Sequence, residues 1–144
     1  MKLRFLIPAL VSTLLAFGAR AGVRVPAVTA YLDPDGGGAR VSSRSGVTGW
    51  KDPATKILWF GEFKSPGQLD AALELRLPEN TTSKLRLTVA GQVRGADVKG
   101  TGTNVVTARF GSFQLKETGY QSFTLESLNE PGKPAGDLDA LLLD

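Results

Sequence analysis

The clearest pattern in the chain is a strict alternation of apolar and polar positions from Gln68 to Pro78, which reads Q-L-D-A-A-L-E-L-R-L-P. A period of two places every second residue from Leu69 to Leu77 on one side of a strand, whereas a helix would spread the leucines around its circumference. Burying four leucines stabilises the strand by about 6 to 12 kcal/mol. Fixing its backbone costs about 10 to 20 kcal/mol. The strand therefore needs paired neighbours and a second apolar layer over its leucine face.

Shorter runs of the same kind follow along the chain. Residues 84–90 alternate leucine or valine with lysine, arginine and threonine, which predicts a second half-buried strand. Further strands are predicted at residues 22–31, 39–43, 56–63, 93–98, 104–110, 112–115, 119–128 and 136–143. Short strands separated by glycine and proline, with no helix after residue 21, predict an all-β antiparallel sandwich of the jelly-roll, galactose-binding-like type.

The first 21 residues have the pattern of a secretory signal peptide. Lys2 and Arg4 precede an apolar helix-forming run from Phe5 to Phe17, and Ala19-Arg20-Ala21 is a small-x-small cleavage sequence. The run is shorter than the roughly 18 to 20 residues that cross a bilayer. We expect cleavage after Ala21, a single domain over residues 22–144, and a periplasmic or extracellular location without a membrane span.

Charge and composition exclude several functions. The chain has 17 Lys+Arg and 14 Asp+Glu, and the predicted signal contains three of the basic residues and no acidic one, so residues 22–144 carry 14 of each. No basic excess is left to neutralise nucleic-acid phosphates. Without histidine or cysteine, Ser-His-Asp and Cys-His catalysis and the usual zinc sites are impossible.

Several landmarks resemble a known family. These are G-W-K-D-P at 49–53, F-K-S-P-G at 63–67, S-K-L at 83–85, G-Y at 119–120 and D-L-D at 137–139. Their order is similar to the domain of unknown function 5077, a β-sandwich module usually found before the domain of unknown function 3472 in exported bacterial proteins. That family is in turn similar to jelly-roll carbohydrate-binding modules, especially families 6 and 35. The resemblance implies a non-catalytic sugar-binding role.

Four residues are candidates for contacting a carbohydrate, which packs its C–H patches on aromatic faces and its hydroxyls on amides and carboxylates. Trp50 lies in a predicted loop and is the candidate platform, although a ring folded into the core is the alternative. Tyr120 follows a glycine at a strand start, where a tyrosine that bonds to backbone is equally expected. Asp52 and Asn104 are the candidate polar contacts, and Trp59, within a strand, is expected in the core.

A calcium ion is the cofactor for which the sequence offers candidate ligands. Asp33 and Asp35 have the first spacing of an EF-hand loop, but Arg44 stands where the bidentate glutamate belongs, so a Pro-Asp-Gly turn is favoured. Asp137 and Asp139 share a face of the predicted last strand, and together with Asp33 they are a candidate structural calcium site. The alternative is a polar strand edge.

The sequence is compatible with three functions. The first is an exported carbohydrate-binding module that uses aromatic residues at one end or face of the sandwich. The second is a protein-interaction or assembly module that contacts a cell-envelope protein through the same residues. The third, a carboxylate-dependent glycoside hydrolase, needs two carboxyl groups about 5 to 9.5 Å apart. The spacing selects no pair among Glu62, Glu74, Glu117 and Glu126.

Overall fold

The structure is a computed structural model and describes residues 22–144, so the predicted signal peptide lies outside the described residues. The described chain forms eleven strands and one short 3-10 helix, Ala27–Thr29. The strands are β1 (Val23–Pro26), β2 (Tyr31–Asp33), β3 (Arg40–Ser42), β4 (Gly46–Thr48), β5 (Lys56–Phe63), β6 (Gly67–Arg76), β7 (Thr82–Val89), β8 (Gln92–Lys99), β9 (Val106–Leu115), β10 (Gly119–Ser127) and β11 (Asp137–Leu143).

The strands form two antiparallel sheets. A six-stranded sheet has the order β3-β4-β11-β6-β9, with β1 paired to β11, and a five-stranded sheet has the order β2-β5-β10-β7-β8. The alternating strand β6 lies inside the six-stranded sheet between β11 and β9. The prediction of an all-β antiparallel sandwich is therefore confirmed.

The core lies between the inner faces of the two sheets. Leu69, Leu73 and Leu75 of β6 are buried, as the alternation predicts. They share one apolar cluster with Ile57 and Leu125 of the five-stranded sheet. Each fully buried leucine contributes about 1.5 to 3 kcal/mol, so both sheets depend on this contact.

The chain crosses from one sheet to the other near its start, where the sequence predicted one strand. Residues 22–31 instead contain β1, which pairs with β11, and the first residue of β2, which pairs with β5. The helical turn Ala27–Thr29 joins them, with Ala27 fully buried. As expected for a proline, Pro26 stands at a strand end rather than inside a strand.

Two further departures from the prediction have local causes. Residues 104–110 and 112–115, predicted as two strands, form the single strand β9 because a bulge at Gly111, with φ of 87°, shifts the register and lets Phe110 and Phe113 both face the core. Strand β4 was predicted as loop. It exists because Val47 pairs with Val41 on one side and with Leu138 on the other.

Candidate functional site

Three exposed aromatic side chains lie on the outer side of the five-stranded sheet. Tyr31 is 64% exposed, Phe60 59% and Tyr120 79%. Tyr31 pairs with Leu58, two residues before Phe60, and Tyr120 pairs with Glu62, two residues after it. Because side chains two apart share a face of a strand, the three rings follow one oblique line across β2, β5 and β10. We call this set the aromatic diagonal.

The first two rings of the aromatic diagonal are in direct contact. The ring centroids of Tyr31 and Phe60 are 5.7 Å apart and their planes meet at 66°, an edge-to-face arrangement. Ile57 and Trp59 are buried on the core-facing side of β5, so Phe60, which follows Trp59, faces the solvent. Two aromatic residues thus form one apolar platform on the solvent side.

Two polar side chains flank the step from Phe60 to Tyr120. Ser122 pairs with Phe60, and Glu62 pairs with Tyr120, so both share the outward face. Both are exposed, and neither makes a hydrogen bond or ion pair with any residue in the described part of the chain. By contrast, Glu126 on the same face is paired with Arg86. An unengaged carboxylate and hydroxyl beside exposed rings can bond the hydroxyls of a ligand that stacks there.

The structure corrects the placement of Trp50. Its side chain is 1% exposed, and its indole N–H donates to the backbone carbonyl of Thr55 at 3.0 Å. The loop closes over it because Asp52 Oδ1 accepts the N–H of Ala54 at 2.9 Å, which makes a tight turn. Trp50 is a core residue with no ring face open to a sugar. Trp59, 2% exposed, is in the core as expected.

The other predicted contact residues do not form one site. Asp52 lies just before β5, whereas Tyr120 pairs near the far end of that strand, a separation of about 20 Å for six residues of strand. Asn104 is exposed in the loop before β9, where its backbone carbonyl accepts a bond from the Thr101 hydroxyl at 3.3 Å. Only Tyr120 lies on the aromatic diagonal.

The structure also separates the three predicted metal ligands. Asp33 is in the five-stranded sheet, and Asp137 and Asp139 are in the six-stranded sheet. A bulge between Leu138 and Ala140 breaks the predicted alternation of β11, and Asp139 accepts a bond from the Arg76 guanidinium at 2.9 Å. Within residues 22–144, no group of three or more acidic residues is placed to hold a metal ion. The structure therefore does not bring the three candidate ligands together.

Two cavities of about 530 Å³ lie elsewhere on the surface. One is a groove over Ala72 and Leu142 on the outer side of the six-stranded sheet. The other lies at the β7–β8 hairpin, where the Gln92 side chain bonds both backbone groups of Gln114. No aromatic residue lines either cavity, so neither offers a stacking surface.

Sequence reasoning missed Tyr31, Phe60 and Ser122, and it weighed Glu62 only as one acid of a hydrolase pair. One signal was available: in residues 56–63, Phe60 is an aromatic residue out of phase with Ile57 and Trp59, so it had to face solvent if they faced the core. Its alignment with Tyr31 and Tyr120 depends on how β2 and β10 pair with β5, and the local sequence does not determine that pairing.

One family model matches the chain, over residues 25–144, and its description is Domain of unknown function (DUF5077). The predicted resemblance is therefore confirmed. No curated protein matches the sequence. No helix among the described residues is long and apolar enough to cross a membrane.

Solved structures share the fold at low sequence identity. A family 35 carbohydrate-binding module from Clostridium thermocellum is 17% identical, with a TM-score of 0.69 over 85% of this chain and 97% of that chain. The CBM36-1 domain of a multidomain xylanase from the hindgut metagenome of Trinervitermes trinervoides is 15% identical, with a TM-score of 0.68 over 86% of this chain and 97% of that domain.

A larger enzyme contains a similar unit. The GH26-CBM35 beta-(1,4)-mannanase of Podospora anserina is 17% identical, with a TM-score of 0.65 over 85% of this chain and 27% of that chain. These likenesses show that the chain shares the jelly-roll sandwich fold of these modules.

Proposed function

We propose that this chain, which belongs to the family described as Domain of unknown function (DUF5077), is an exported, non-catalytic module that binds carbohydrate on the aromatic diagonal. The observation that carries the proposal is the Tyr31–Phe60 ring pair, exposed on an open sheet face beside Glu62, whose carboxylate is unengaged. The shared jelly-roll fold of carbohydrate-binding modules supports it.

The chemistry of this surface fits a pyranose ring. One side of many sugars is a patch of C–H groups, and it packs on the apolar, electron-rich face of an aromatic ring. The equatorial hydroxyls then project sideways, where Glu62 and Ser122 stand on adjacent strands. A carboxylate accepts such hydrogen bonds more strongly than a neutral group does. Stacking and polar contacts are therefore available at the same place.

The positions of the acidic residues support binding without catalysis. Glu74 on the six-stranded sheet is paired with Arg24, and Glu126 on the five-stranded sheet is paired with Arg86. A glycoside hydrolase needs two carboxyl groups facing each other across a cleft, and these two lie on opposite sheets. Glu62 lies on an open face, and its cross-strand partner is Tyr120 rather than a second acid.

Affinity electrophoresis in gels that contain xylan or beta-(1,4)-mannan, polymers suggested by the xylanase and mannanase that carry similar modules, tests the proposal. We expect the purified domain, residues 22–144, to be retarded in at least one gel, and Phe60→Ala to lose that retardation. Val93→Ala is the matched control, because Val93 is 50% exposed on β8 of the same sheet but lies off the aromatic diagonal. Equal retardation of both variants would overturn the proposed site.

The main alternative is that the same rings contact a protein of the cell envelope. In that case the domain would ignore every polysaccharide gel, and immobilised domain would retain one envelope protein in a Phe60-dependent manner. That pair of results contradicts the carbohydrate proposal.

Export is proposed from the signal pattern in residues 1–21. Expression of the full chain in a bacterium should yield an exported protein whose first residue is Gly22. A cell-retained protein that still begins at Met1 would contradict export.

A further inference from the structure

We infer that the ligand is an extended glycan chain of several sugar units, bound along its length on the aromatic diagonal rather than at a chain end. This inference rests on the proposed function and specifies its substrate class. The spacing of the three rings, the polar groups between them and the position of Tyr31 on an edge strand support it.

The spacing of the rings exceeds one sugar unit. Tyr31 is level with Leu58, and Tyr120 is level with Glu62, so the two lie about 13 Å apart along the strand direction. They also lie on β2 and β10, on opposite sides of β5, which adds a sideways separation of about 10 Å. A single pyranose ring cannot stack on both tyrosines, whereas a chain can place different units on them.

The aromatic diagonal has two platforms, one made of two rings and the other of a single ring. Tyr31 and Phe60 form one platform, because their ring centroids are 5.7 Å apart. Tyr120 makes no ring contact among the described residues and forms the second platform alone. Diagonal neighbours on adjacent strands are about 7 to 8 Å apart. The step between the platforms therefore has room for a sugar unit that bridges them.

Polar groups stand on both sides of that step. Phe60 and Glu62 lie on β5, opposite Ser122 and Tyr120 on β10. The line from Phe60 to Tyr120 therefore passes between Glu62 and Ser122. A unit that bridges the platforms would have a carboxylate on one side and a hydroxyl on the other. This arrangement suits a chain whose successive units each offer hydroxyls to both sides.

Both ends of the aromatic diagonal lie at the margin of the five-stranded sheet. Tyr31 lies on β2, an edge strand, and Tyr120 is the second residue of β10. Sites that recognise a chain end are enclosed pockets that bury most of the terminal unit, and no ring of the aromatic diagonal lines either cavity of about 530 Å³. A smaller cavity of about 400 Å³ has Glu62 in its wall but none of the three rings. A glycan can therefore continue off the sheet in both directions.

Isothermal titration of the domain with xylose and mannose oligosaccharides, from the monosaccharide to the hexasaccharide, tests the inference. We expect affinity to rise with chain length beyond the disaccharide. Phe60→Ala should weaken binding at every length, and Tyr120→Ala should weaken only the longer oligosaccharides, by about three- to tenfold. Tyr120→Phe, which keeps the ring, should bind like the unaltered domain. Thermal unfolding checks that all variants are folded.

Two results would overturn the inference while leaving the proposed function intact. One is maximal affinity for a mono- or disaccharide, and the other is an equal loss at all lengths in Tyr120→Ala. If the unaltered domain binds neither these oligosaccharides nor their parent polymers, the proposed function fails and the inference fails with it.

Discussion

The phenol ring of Tyr31 meets the ring of Phe60 edge to face, with centroids 5.7 Å apart, although 29 positions separate the two residues in the sequence. Both rings are more than half exposed on the outside of the sheet. A soluble domain gains little stability from leaving such a pair in water, because the apolar surface of the two rings is not removed from solvent. We interpret the pair as a surface kept for a ligand.

The contact between the two rings should be measurable as a coupling energy. In a double-mutant cycle of Tyr31→Ala, Phe60→Ala and the double variant, we expect about 0.5 to 1 kcal/mol of coupling in the free energy of unfolding. The measurement is urea denaturation followed by fluorescence. Strictly additive single effects would mean that the rings do not rest against each other in solution.

The burial of Trp50 predicts that this residue acts on stability and not on binding. Trp50→Phe removes the donor to the Thr55 carbonyl, and a buried acceptor left unsatisfied costs about 1 to 3 kcal/mol. Trp59→Phe is the matched control, because the Trp59 indole N–H is buried without a partner in the described residues. We expect Trp50→Phe to be the more destabilising of the two in urea denaturation.

A binding assay distinguishes a Trp50 that belongs to the core from a Trp50 that contacts sugar. At a temperature where both variants are folded, polysaccharide retardation should be unchanged. A Trp50→Phe variant with normal stability and lost binding would restore Trp50 as the sugar platform and contradict its placement in the core.

The glycine at position 46 should be essential for closing the six-stranded sheet. A Cβ built on Gly46 would lie 2.1 Å from the Leu138 carbonyl oxygen, at a φ of 69°. We expect Gly46→Ala to destabilise the domain by on the order of 4 kcal/mol or to prevent folding. Gly111→Ala shares the positive φ, 87°, but its Cβ would meet nothing within 4 Å, so the cost should be about 1 kcal/mol.

Comparing the melting temperatures of the Gly46→Ala and Gly111→Ala variants distinguishes two costs. Both variants strain the backbone at a positive φ, but only Gly46→Ala places a Cβ against Leu138. Similar melting temperatures for both would show that the contact between Gly46 and Leu138 is looser than the structure has it.

The sequence was sufficient where a residue's environment follows from its own neighbours. Strand β6, Gly67–Arg76, was predicted within two residues at each end, because a strictly alternating strand can bury its apolar face in only one orientation. The sandwich class followed from many such strands. Strand β4, Gly46–Thr48, was missed because it is only three residues long and its neighbour on one side is β11, where Val47 pairs with the distant Leu138; its other neighbour is the nearby β3.

The candidate site was less accessible to sequence reasoning, and for the same reason. Tyr120 was identified from the glycine before it, but Tyr31 and Phe60 join it only through the pairings of β2 and β10 with β5. The position of Trp50 was ambiguous because a loop residue can fold inward when a turn such as that at Asp52 directs it there. Register and loop closure are tertiary properties, and they decide which aromatic rings reach the solvent.

Chemical-shift mapping by NMR locates the bound glycan directly, when the isotope-labelled domain is titrated with the oligosaccharide that binds best in calorimetry. If the glycan binds on the aromatic diagonal, the largest shifts of backbone amides will occur at Tyr31, Phe60, Glu62, Tyr120 and Ser122. Shifts confined to the loops that contain Asp52 and Asn104 would contradict it.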